Sequence, residues 1–495
     1  MAGAAPKRRP LSRRQAVTLL QIMLFLAVLA LGAWLVFRAT PPDLMREGDA
    51  LFAQKHYYAA LGRYHAAEVA NEGPRELLRV GMVEVVRGEV AQAGKTLALA
   101  LRDGLPPHER DLARLYQGHA ATQAGQLEQA HGFWRTIEAD SAFYPYRRVL
   151  EGEALLAAAN YAAAEKAYRA AINAGLPADW QRTALARIAA LRASSDIEGA
   201  RATLIEIAAV RERAAELFTV PLLPAALPTP EALAQALDAP DDERALRLGQ
   251  VYLDAKLVPL AANQFRAAPG RVAQVYAAYA QLRGGDRAGG QAGLEALVAA
   301  APEDARARAL LALAYLDEID PRRARAQLET VRALAPNAPD THLAWGQWHA
   351  AQSDYVAAAD EYRRAVEAAP AEQRGRYLLA LARFQLDTTV RLCDDGRAAA
   401  DDAATLLDSA DAWTTAAAAR LACGDAEAAR AAAERARQLA PASAEAAFYH
   451  GQALALLGQP EQARAALIAA ADNAPASEWR KKAEESLAAL RGVAR

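Results

Sequence analysis

The sequence predicts an all-α protein: an N-terminal transmembrane helix followed by an α-solenoid of about twelve helical hairpins in two lobes. Three observations carry that expectation. Prolines recur at a fixed interval, with Pro302, Pro336 and Pro370 spaced 34 residues apart and Pro441 and Pro475 repeating the step. The composition is 53% apolar but only 6% aromatic, rich in alanine and poor in β-branched runs, which favours closely packed helices over strands. One uncharged apolar stretch, 15–37, stands near the start. A chain of 495 residues is too long for one ordinary core, whereas an array whose units pack only on their neighbours grows without thickening.

Residues 1–14 form a basic tail carrying Lys7, Arg8, Arg9, Arg13 and Arg14. The next charge is Arg38, and about 20 apolar residues suffice to cross a hydrocarbon core, so 15–38 is expected to be a transmembrane helix. Beyond it Arg38 and Arg46 are offset by Asp43 and Glu47. The positive-inside bias therefore puts the tail in the cytoplasm and the repeats outside, as in a single-pass protein of a bacterial inner membrane with its repeats in the periplasm. A cleavable signal peptide is the alternative, with Ala30-Leu31-Gly32 as its small-x-small site, but the apolar run exceeds a signal core of about 7 to 15 residues.

From residue 41 onward, aromatic and small residues recur at fixed offsets, as in Trp345, Gly346, His349, Tyr355, Ala358, Tyr362, Ala365 and Pro370. Together these resemble the tetratricopeptide repeat family, in its single-span, membrane-anchored bacterial type. The resemblance implies hairpins of a helix A and a helix B. A small residue at position 8 admits large ones at 4, 7, 11 and 24, small residues at 20 and 27 admit the next unit, and Pro at 32 stops helix B. Position 20 falls on Ala60, Ala93, Ala130, Ala164, Ala200, Ala261, Gly290, Ala324, Ala358, Ala429 and Ala463. Units 339–372 and 444–477 match best, whereas 181–214 and 271–300 carry Ile188 and Ala278 at position 8, and the unit between Gln373 and Ser409 holds an insertion near Asp387 to Gly396. Ala358 is expected to be more enclosed than Ala359.

The domains follow from this register: an N-terminal lobe over 41–216, a Pro-rich linker over 217–241, a C-terminal lobe over 242–476 and a capping helix with tail over 477–495. Pro221, Pro224, Pro228, Pro230 and Pro240 break the repeat phase, although Thr229-Pro230-Glu231 can start a short helix. Trp479, Ala483, Leu487 and Leu490 make the one apolar stripe that a solenoid end needs.

A net charge of −2, with acids and bases interleaved, gives no footprint for nucleic acid. No metalloprotease, phosphate-loop, nucleophile-elbow or Cys-x-x-Cys motif occurs, so neither an enzyme nor a cofactor or metal is expected. His342 and His349 share a face but stand two turns, about 10 Å, apart, too far for one ion, and Trp345 and His349 fall on packing positions. Cys393 and Cys423, the only cysteines, lie at helix ends that stacking makes neighbours, which leaves a disulfide or two buried thiols.

The resemblance also implies that helix A lines the concave face, with positions 2, 5, 9, 12 and 13 inward. The Lys at 5 and Asn at 9 of a carboxylate clamp are absent. The candidate protein-binding groove comprises Met82, His119, Glu153, Gln250, Gln347 and Gln452 at position 9 with Phe448 at position 5. It would take a protein partner as an extended segment or helix. The expected role is a membrane-anchored extracytoplasmic scaffold organising an envelope complex. The alternative is a periplasmic chaperone-like protein attending secretion or cytochrome c assembly. Nothing in the pattern sets an oligomeric state.

Overall fold

The computed structural model describes residues 41–71, 73–211, 220–222 and 227–493, and among them it contains 26 α-helices. Five hairpins come first: Pro41–Ala53 with Tyr57–Ala70, Pro74–Val86 with Val90–Arg102, Pro107–Gln123 with Leu127–Trp134, Tyr144–Ala157 with Tyr161–Asn173, and Ala178–Arg192 with Ile197–Ala209. A short helix, Pro230–Leu237, precedes four more: Asp241–Asp254 with Val258–Ala267, Arg271–Arg283 with Arg287–Ala300, Ala305–Asp317 with Pro321–Leu334, and Pro339–Ala351 with Tyr355–Ala368. Arg374–Thr388 then pairs with Arg397–Leu407 across a π-helical turn, Leu392–Gly396. Ala410–Ala422 with Ala426–Leu439 and Ala444–Leu456 with Pro460–Asn473 complete twelve hairpins, and Glu478–Val493 caps the last. Each helix packs chiefly on its chain neighbours, the arrangement of an α-solenoid of helical hairpins.

The expected fold class needs one correction. The segment 15–38 lies outside the described residues, and among the described residues no helix is long and apolar enough to cross a membrane. The described residues thus form an all-α solenoid with no membrane-crossing helix among them, and the expected single-pass inner-membrane localisation is not supported.

Local chemistry explains why each hairpin folds. At position 15, between helices A and B, the backbone is left-handed in nearly every unit, from Lys55 (φ 64°) through Gly88, Gly125, Ala159, Lys256, Gly285, Ile319, Ser353 and Gly424 to Gly458. At position 16, Asn160, Asp196, Asp286, Asp320, Asp354 and Asp425 each cap helix B by accepting an amide hydrogen bond three residues on. The turn thus reverses the chain and satisfies a helix donor in two consecutive residues.

Positions 8 and 24 interlock within each hairpin. A Cβ built on Gly48, Gly118, Gly152, Gly249 or Gly346 would fall within 2.8 Å of the ring of Tyr64, Trp134, Tyr168, Phe265 or Tyr362 respectively. Where position 8 is Ile188, its position 24 partner shrinks to Leu204. Gly118→Ala should therefore destabilise by about 1–3 kcal/mol, because buried Trp134 is held by a hydrogen bond from Nε1 to the Leu115 carbonyl (3.3 Å) and has no room to yield. Gly132→Ala, on an open helix face, should instead stabilise by about 0.5–1 kcal/mol through helix propensity. Urea unfolding of the two variants checks the contrast.

Ala359 corrects one expectation. It is as buried as Ala358, because helix B contacts helix A on one side and the following hairpin, through Tyr377 and Leu381, on the other.

The described part of the Pro-rich stretch is packed. Val220 and Leu222 are buried, and Trp180 Nε1 donates to the Val220 carbonyl at 2.9 Å. The side chain of Thr229 caps Pro230–Leu237, whose Leu233, Ala236 and Leu237 enter one apolar cluster running from Phe52 to Ala280.

Candidate functional site

The helices Arg271–Arg283, Ala305–Asp317, Pro339–Ala351 and Arg374–Thr388 together line two adjoining hollows of about 540 and 580 Å3, which share Leu310, Leu313 and Gln347. The repeat places these side chains: Leu313 and Gln347 hold position 9 in successive units, Leu343 holds position 5, and Arg306 and Asp340 hold position 2. Leu310, Leu313, Leu343, Ala309 and Ala344 make an apolar floor. Its far wall is polar: Arg376 pairs with Asp340 at 2.8 Å, and Tyr377 donates its hydroxyl proton to the same carboxylate at 2.6 Å. Burial, and then the hydrogen bond to Asp340, push the Tyr377 hydroxyl above its ordinary pKa, so it remains a donor. Arg283 and Arg287 face Asp317 and Glu318 around the second hollow. An apolar floor between mixed charges can seat a chain segment whose backbone stays hydrogen-bonded at the rim.

The structure separates the residues that the sequence grouped. Gln347 lines both hollows, and Gln250 is exposed on its own helix. Met82, by contrast, is 3% exposed and part of the core. Partly covered His119 has its pKa lowered by desolvation to about 4, so it is neutral at physiological pH. Glu153 accepts from the Tyr168 hydroxyl at 2.7 Å and from Arg187 Nε and Nη2 at 2.9 Å each, which makes it a strut between hairpins. The same strut recurs earlier, where Asp49 accepts from the Tyr64 hydroxyl and Arg79 Nε, both at 2.8 Å. Phe448 packs against Trp479, with ring centroids 5.5 Å apart, and Gln452 donates to Ser486 Oγ at 2.6 Å, so the capping helix occupies their part of the face. Of the expected set, Met82, Glu153, Phe448 and Gln452 make packing and bridging contacts within the chain.

Leu310, Leu313, Arg306, Asp340, Arg376 and Tyr377 were missing from that set. The register that gave Gln347 would have given Leu313 one repeat earlier, and Asp340 with Arg376 is a charge pair at nearly one repeat of separation. His342 Nδ1 lies 2.7 Å from Glu361 and His349 Nδ1 3.5 Å from Asp354, two separate pairs. Among the described residues no group of three or more His, Cys, Asp or Glu is placed to hold a metal ion. Cys393 and Cys423 are joined in a disulfide, with Cα atoms 5.5 Å apart.

No protein-family model matches the chain, and no curated protein is significantly similar in sequence. Among solved structures, the APC/C hetero-tetramer Cut9-Hcn1 is similar at 12% identity and a TM-score of 0.37, over 92% of this chain and 97% of that one. PilF from Pseudomonas aeruginosa is similar at 15% identity and a TM-score of 0.37, over 46% of this chain and 99% of the other. YrrB, a tetratricopeptide protein with an unusual peptide-binding site, is similar at 18% identity and a TM-score of 0.32, over 39% and 97%. Neither identity nor superposition is high enough at these values to carry a functional assignment.

Proposed function

We propose that the protein is a binding scaffold which holds a protein segment against the inward face of hairpins 271–388. The observation that carries this reading is the pair of adjoining hollows sharing Leu310, Leu313 and Gln347, floored by leucine and alanine and bounded by Arg306 and the Arg376–Asp340 pair. Leu313, partly exposed and outside the apolar clusters on which Leu310 and Leu343 pack, is the group a partner would desolvate first, and a few such central anchors dominate an interface. The segment that fits is extended or helical, with apolar side chains for the floor and a carboxylate for Arg306.

A photo-crosslinking amino acid at Gln347 should join the chain to a defined partner segment. A synthetic copy of that segment should bind the purified protein, and Leu313→Glu should weaken it at least tenfold without moving the melting temperature, because this side chain is not fully enclosed. Ile205→Glu, at a 72% exposed position on another helix, should leave binding unchanged. Equal weakening by both substitutions, or crosslinks spread evenly over exposed positions elsewhere, would refute the groove.

A further inference from the structure

In an open solenoid the first and last units never meet. Here they do. The Tyr58 amide donates to Asp472 Oδ1 at 2.8 Å across 414 residues of sequence, and His56 Nδ1 lies 3.7 Å from the other carboxylate oxygen. The Tyr58 side chain packs on the terminal cluster of Ala447, Leu467, Ala470 and Leu487. Beside it two arginines and two glutamates interlace: Arg87 Nη1 is 2.8 Å from Glu484, Arg87 Nε is 3.1 Å from Glu89, and Arg480 Nη1 is 3.2 Å from Glu89 and 3.0 Å from Glu484. Both arginine side chains are at most 10% exposed, Glu89 and Glu484 stay partly exposed at 33% and 26%, and the four charges cancel. The turn at Gly88, with φ +71°, comes so near the other end that a Cβ there would stand 3.1 Å from the Ala476 methyl.

This seam differs from every joint between neighbouring hairpins. Phe52, Tyr57 and Tyr64 belong to the large cluster reaching Ala280, whereas Leu467, Ala470 and Leu487 belong to the separate terminal one, on which Tyr58 of the first hairpin packs. Parting the ends lifts Tyr58 off the terminal cluster but leaves the large cluster intact, while parting adjacent hairpins would open one. Separation at the seam is the least costly large opening available to the array. Closure also sets one arginine of each end against glutamates of both, an arrangement that neither end completes alone.

We propose that this seam is a releasable clasp: the solenoid closes end to end in solution as a collar, and it opens between its first two hairpins and its last. Any consequence for access to the inward face rests on the groove reading above, but the closure itself does not.

The test uses the full chain with its disulfide intact and spin labels on cysteines introduced at exposed Lys95 and Gln462, read by pulsed dipolar spectroscopy. The unaltered seam should give one narrow distance distribution. Arg87→Glu and Glu484→Arg should each lower the closed fraction at least tenfold with helicity retained, and the charge-exchanged double variant should restore the narrow distribution. A broad distribution with the unaltered seam would overturn closure. So would an unchanged distribution in both single variants, and failure of the exchange to restore it would overturn the ionic pairing. If Arg87→Glu does not fold, Glu484→Arg on the capping helix decides the result, and small-angle scattering of that variant should show a larger maximum dimension.

Discussion

Arg79→Ala should be among the most destabilising single substitutions in the chain, costing about 3–5 kcal/mol. The guanidinium is 5% exposed and sits between hairpins: Nε donates to Asp49 Oδ1 at 2.8 Å in the first, and Nη2 lies 3.5 Å from Glu109 Oε1 in the third. Glu109 is itself 5% exposed. Removing the cation leaves Asp49 without its inter-hairpin partner and Glu109 with only Arg75, at 2.8 Å, besides opening a cavity among three helices. Arg79→Lys should recover only part of the loss, since an ammonium cannot reproduce the forked geometry toward two carboxylates. The change should be local, because units in a solenoid depend mainly on their neighbours. Hydrogen exchange should accelerate over 41–134 and stay near its original rate over 241–439, the stretch that touches neither the first three hairpins nor the seam. Adding Asp49→Asn and Glu109→Gln to Arg79→Met should return much of the stability, because neutral groups of similar shape carry no stranded charge. No such recovery would show that the arginine acts by packing alone.

That strut also marks the boundary of what the sequence made legible. Position 8 glycines opposite position 24 aromatics, and the recurring aspartates at position 16, depend on contacts within one hairpin, so a single 34-residue period exposes them. The groove was harder, because position 9 has two fates. Where the next unit offers an arginine or a polar group about one repeat on, as Arg79 does for Asp49, Arg187 for Glu153 and Ser486 for Gln452, the side chain turns sideways and bridges units. Where the side chain is apolar, as Leu313, or meets only an apolar residue one repeat on, as Gln347 meets Leu381, it lines the hollows. Reading charge pairs at an offset of one repeat would have separated the two classes. The meeting of Tyr58 with Asp472 was out of reach of any such rule, since it sums small rotations over twelve hairpins and no local pattern records the total.

The second large effect concerns the irregular tenth hairpin. Thr389 (φ 59°) and Arg391 (φ 55°) are left-handed on either side of Val390, and the π-helical turn Leu392–Gly396 follows, so this stretch lacks the regular A-to-B turn of its neighbours. The bond from Cys393 in that turn to Cys423 at the end of Ala410–Ala422 ties the insertion to the next hairpin. Closing a loop over a separation of 30 residues removes unfolded-chain entropy worth about 3–4 kcal/mol. Cys393→Ala should cost roughly that amount, and so should Cys423→Ala. The double variant should cost little more than either, since one substitution already breaks the link. Dithiothreitol should bring the parent protein to the midpoint of the double variant, because Cys393 is exposed to solvent. Hydrogen exchange should then quicken over 389–424 while the helices Pro339–Ala351 and Tyr355–Ala368 keep their protection. Two single substitutions whose costs simply add in the double variant would mean that each thiol contributes by packing, and that no covalent link holds the insertion in place.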